Sequence, residues 1–76
     1  MDAPELVSLS ESQKLRNEAA EDGEEVLALR VRSSQSFSRG VMQVISEAFC
    51  RTNPRAYPEW ITFDDGVWNV FGRVPQ

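Results

Sequence analysis

The sequence predicts a small two-layer α+β domain of order (α)-β-α-β-β, with one main helix packed on one face of a three-stranded antiparallel sheet. Three stretches lead there. Residues 26–32, VLALRVR, alternate apolar and polar positions; residues 37–51, FSRGVMQVISEAFCR, repeat their apolar positions at helical spacing; residues 60–74, WITFDDGVWNVFGRV, hold two apolar runs around Asp65-Gly66. A period of two marks a half-buried strand, a period of 3.6 marks a helix with one apolar face, and Asp-Gly between apolar runs marks a hairpin.

In chain order, residues 1–9 read as a flexible N-terminal segment, since termini fray, and residues 10–76 as a single domain; 76 residues allow no more than one. From Ser10 to Glu21 the composition favours a short acidic helix. Ser10 with Gln13 has the form of a capping box, and Asp22-Gly23 supplies the stop. The apolar side of this helix is thin (Leu15, Ala19, Ala20, helped by Leu6 and Leu9), so it needs the rest of the chain for support. In the strand 26–32, Leu27, Leu29 and Val31 share one side, and Ala28, Arg30 and Arg32 the other.

Ser36 then stands as an N-cap for the main helix. Apolar residues at 37, 41, 44, 45, 48 and 49 form one helical face. Gly40 weakens the first turns by about 1 kcal/mol relative to Ala, which implies a helix backbone lying close to the sheet. Asn53-Pro54 ends the helix, and RAYPE, residues 55–59, is a loop because the prolines at 54 and 58 exclude helix and central strand.

A two-residue type I′ turn at Asp65-Gly66 fixes the hairpin register: Asp64 opposite Val67, Phe63 opposite Trp68, Thr62 opposite Asn69, Ile61 opposite Val70, Trp60 opposite Phe71. One face then carries Ile61, Phe63, Trp68 and Val70. A three-residue loop would mix polar with apolar on both faces, so the two-residue register is preferred. A right-handed crossover sets strand 26–32 parallel to strand 60–64, with strand 67–74 between them, giving the order 1-3-2. A winged helix is the alternative, ranked lower because only one helix is strongly amphipathic.

Net charge is −4, unevenly placed. Residues 1–25 hold eight acids against Lys14 and Arg16; residues 26–76 hold four acids against six arginines. An acidic arm beside a mildly basic body either aids solubility or docks on basic groups. Seven arginines to one lysine suit a GC-rich bacterial or phage source. Cys50 is the single cysteine and there is no histidine, so no internal disulfide, no Cys/His metal site and no cofactor are expected, and the chain reads as cytoplasmic. No signal peptide and no membrane span are expected.

Catalysis ranks last among the function classes. Acid–base work would fall to carboxylates or Tyr57, and Ser33, Ser34, Ser36 and Ser38 have no base to activate them. The informative surface is the far side of the sheet, with Arg30, Arg32, Trp60, Thr62, Asn69, Phe71 and Arg73. Three readings compete for it. The N-terminal helix lies across it, with Leu6, Leu9 and Leu15 over Trp60 and Phe71 and glutamates on the arginines, since a small domain recruits every apolar contact. Or it binds a larger protein or a second copy, because Trp, other aromatics and Arg dominate interface hot spots. Or it stacks single-stranded nucleic acid, which the net negative charge and the missing RNP-like motif disfavour. The expectation is a non-catalytic protein-binding regulator, an inhibitor or adaptor, acting through the aromatic/Arg face or the acidic arm.

Overall fold

The elements run β1 (Glu5–Leu6), α1 (Leu9–Glu21), β2 (Val26–Arg32), α2 (Arg39–Thr52), β3 (Trp60–Asp64) and β4 (Val67–Arg73) in the computed structural model, which describes residues 4–34 and 38–74. Asp65 and Gly66 both have positive φ, 48° and 73°, as a type I′ turn requires. The β3–β4 register follows from that turn: Trp60 faces Phe71, Ile61 faces Val70, Thr62 faces Asn69, Phe63 faces Trp68 and Asp64 faces Val67. β2 pairs antiparallel with the other side of β4.

The sheet departs from the expected three antiparallel strands. Its order is β1-β3-β4-β2, and β1 runs parallel to β3. The relation among the three long strands is the expected one; a fourth strand is added at the β3 edge. Glu5 and Leu6 therefore belong to the sheet, inside the stretch expected to be flexible. The Glu5 N–H donates to the Glu59 carbonyl at 3.1 Å and the Val7 N–H to that of Ile61 at 2.9 Å. Main-chain bonds hold this strand, so its side chains carry no alternating signal.

Both helices begin at serines other than those expected. Ser8, not Ser10, caps α1, and its hydroxyl accepts from the Glu11 N–H at 3.1 Å. Ser8-Leu9-Ser10-Glu11 has the serine-to-glutamate spacing of a capping box and sets an acid in the first turn, where the helix dipole favours it. α1 ends as expected: Gly23 has φ 73°, and its N–H and that of Glu24 close on the carbonyls of Ala20 and Ala19 at 3.1 and 2.9 Å, the Schellman pattern. Ser38 caps α2, accepting from the Val41 N–H at 3.1 Å. The expected cap Ser36 and the expected stripe residue Phe37 lie outside the described residues.

α2 covers one face of the sheet. Ile45 and Phe49 are buried with Ala56, Ile61, Trp68 and Val70, and Leu27, Leu29, Val31, Val41, Met42, Phe63 and Val74 pack around them. Burying each large apolar side chain contributes about 1.5–3 kcal/mol. Phe63 and Trp68 meet at 4.5 Å between ring centres. Val44, expected on this stripe, is 62% exposed. Ile45 and Phe49 point to the sheet, and Val44 falls too far round the helix to follow them.

The glycine that lets α2 and the sheet close up is Gly72 rather than Gly40. A Cβ on Gly40 would meet only the Ser38 hydroxyl, 4.0 Å away. On Gly72 it would overlap the Tyr57 carbonyl oxygen and stand 2.9 Å from the Phe49 ring tip.

Candidate functional site

Alternation along β3 and β4 sends Trp60, Thr62, Asn69, Phe71 and Arg73 to the side of the sheet away from α2. α1 packs on β3 there. It covers Trp60, Thr62 and Phe71, which are 3%, 2% and 7% exposed. The two rings stack at 5.6 Å between centres with 18° between planes. The Trp60 indole N–H donates to the Ser12 hydroxyl at 3.1 Å, inside the contact. Among the described residues, the buried Thr62 hydroxyl has no hydrogen-bond partner.

The leucines expected to cover these rings are not the residues that α1 buries most deeply. Leu6 and Leu9 stand exposed, and α1 buries Ser12 and Ala19 instead, with Leu15 half-buried. Small side chains let the helix backbone approach the sheet, which a hydrophobic pattern does not reveal. Arg16, one turn on from Ser12, sets its guanidinium 5.2 Å from the Phe71 ring centre, within cation–π range. The apolar pattern marks neither Ser12 nor Arg16; their i, i+4 spacing on one helix face is the available signal.

Arg73 closes one end of this face. Its Nε lies 3.0 Å from a Glu59 carboxylate oxygen, its backbone N–H donates to the same oxygen at 3.1 Å, and Glu24 lies 3.5 Å away. The guanidinium is also 6.0 Å from the Trp60 ring centre. The hydrogen bond with Glu59 raises its pKa above the ordinary value, against partial desolvation and with help from both carboxylate charges, so it stays cationic. Glu24, Tyr57, Glu59, Arg73 and Val74 line an open cleft of about 330 Å³. Its one cation is engaged by two carboxylates.

Arg30, Arg32 and Asn69 occupy the rest of the face. Both arginines are exposed and Asn69 is half-buried. Arg30 sits opposite Asn69, and Arg32 opposite Val67. Thus the seven residues read from sequence divide into three under α1, one in an ion-pair cluster and three on open sheet. Two residues apart on a strand, Arg30 and Arg32 are spaced by about 6.6 Å, which suits carboxylates or phosphates at alternate positions of an extended chain.

Among the described residues, no group of three or more His, Cys, Asp and Glu is placed to hold a metal ion, and no helix is long and apolar enough to cross a membrane. No family model matches the sequence, and the searches of curated proteins and of solved structures likewise returned no match.

Proposed function

We propose that the chain is a small, non-catalytic, cytoplasmic regulatory module that binds an acidic surface of a larger protein through the open part of its sheet. The observation that carries this reading is the pair of exposed guanidinium groups on β2, Arg30 and Arg32, beside Asn69. They stand on a rigid strand in a chain of net charge −4, whose other well-placed arginine on this face, Arg73, is engaged by its own glutamates. β2 pairing with β4 fixes their backbone positions, and the planar guanidinium fork loses less freedom per hydrogen bond on a carboxylate than a flexible ammonium would. The aromatic half of the face serves α1 docking in this reading.

Single-stranded nucleic acid is the runner-up. It uses the same two arginines but needs accessible rings for stacking, and Trp60 and Phe71 lie beneath α1. Affinity capture from the source cell, followed by direct titration of the captured protein, tests the proposal. The Arg30→Glu/Arg32→Glu variant should lose binding by at least tenfold at unchanged melting temperature. Retention of binding by the charge-reversed variant refutes the proposal, and salt-reversible binding of an oligonucleotide in place of a protein selects the runner-up.

A further inference from the structure

The two edges of the sheet are unequal. β1 closes one side with two residues, whereas β2 presents seven with no strand beyond it among the described residues. We propose that β2 pairs antiparallel with β2 of a second copy, about a two-fold axis through Leu29, joining two domains into one continuous sheet.

The ladder shows which groups are free to do this. The Val74 N–H donates to the Glu25 carbonyl at 2.9 Å, and the Ser33 N–H to the Gly66 carbonyl at 2.8 Å. In an antiparallel ladder a residue's N–H and C=O point to the same side, and the side alternates along the strand. Residues 25, 27, 29, 31 and 33 therefore turn their main chain toward β4. Val26, Ala28, Arg30 and Arg32 turn theirs outward.

Outward residues have to pair with outward residues, so a two-fold axis must pass through a residue rather than between two. An axis at Arg30 would set that arginine against its own copy. An axis at Leu29 engages all four outward residues. It places Arg30 opposite Ala28 and Arg32 opposite Val26 of the second copy, so no two arginines face each other. On the α2 side it places Leu27 opposite Val31, and Leu29 opposite Leu29. These three positions are only half-buried in one domain, and the pairing would complete their burial.

Charge also favours this register. Arg32 comes diagonal to Glu24 of the second copy, twice by symmetry, within reach of long side chains, so Glu24 would bridge it and its own domain's Arg73, 3.5 Å away. The two Arg30 side chains are diagonal to each other across the axis, the one like-charge contact. Of the usual guards against pairing, β2 carries its two arginines; it contains no proline, and among the described residues no strand lies against its outer edge.

Sedimentation equilibrium on the full chain tests this. A dimer of twice 8.6 kDa is expected. Ala28→Pro removes an outward N–H and no bond to β4, so it should dissociate the dimer. Arg30→Thr should tighten it by up to about fivefold, by removing the like-charge contact. For a reading independent of folding effects, Leu29→Cys in a Cys50→Ser background should form a covalent dimer on mild oxidation, and Arg32→Cys in that background should not. A chain that stays monomeric at the highest soluble concentration overturns the proposal, as does a dimer that Leu29→Cys does not cross-link. A monomer would make Arg30 and Arg32 guards of the edge while leaving their acidic partner to be judged by the charge-reversal titration.

Discussion

Ser12→Ala tests whether α1 is locked to the sheet by a specific bond. Ser12 is 1% exposed and accepts the Trp60 indole proton at 3.1 Å. Alanine removes the acceptor and leaves a buried donor unpaired, which costs about 1–3 kcal/mol. Alanine is also the better helix former, by about 0.5 kcal/mol, so the net loss is about 0.5–2.5 kcal/mol. Unfolding entropy near 2.1 cal/mol/K per residue converts this to a fall in melting temperature of about 3–16 °C for a chain of this length. The assay is thermal unfolding in a double-mutant cycle with Trp60→Phe, which has no indole N–H. In that background Ser12→Ala should be neutral or slightly stabilising. Equal losses in both backgrounds would refute the bond's contribution, because the cycle isolates the pair.

Two further outcomes follow from packing. Gly72→Ala should cost about 1–3 kcal/mol in urea unfolding, because the Tyr57 carbonyl that the new methyl meets is main chain and cannot swing aside; wild-type stability would mean that the 55–59 loop gives way freely. Ile45→Ala should cost about 2–5 kcal/mol, whereas Val44→Ser, one residue away and exposed, should stay within about 0.5 kcal/mol. Equal losses at the two positions would contradict the orientation of α2.

Much of the sheet was legible because its signals are local. Asp65-Gly66 admits few turn types, and one turn type fixes five cross-strand pairs at once. The alternation at 26–32 then assigns each side chain a face. What was not legible depended on tertiary approach. A two-residue strand such as β1 has no period to detect. SLSES offers serines at 8, 10 and 12; one caps the helix, one lies within its first turn, and one accepts the Trp60 proton, and only the packing of α1 assigns them. Gly40 and Gly72 look alike in sequence, yet only one has a carbonyl where its side chain would be. At the candidate site, the residue set was readable from alternation, but its division into covered and open parts was not, because the residues α1 buries fully are the small Ser12 and Ala19, which an apolar pattern does not mark.

The strand order also constrains how the chain acquires its structure. β1 and β2 come early in the sequence, but both pair only with β3 and β4, so each waits for strands made tens of residues later. Only the β3–β4 hairpin can form from neighbours in sequence, in microseconds. Every other strand pairing closes a long loop, and that loop-closure entropy must be met before its contacts form. Until β4 arrives, Leu27, Leu29 and Val31 lie on an unpaired apolar strand, and that interval is when a chaperone would find this protein.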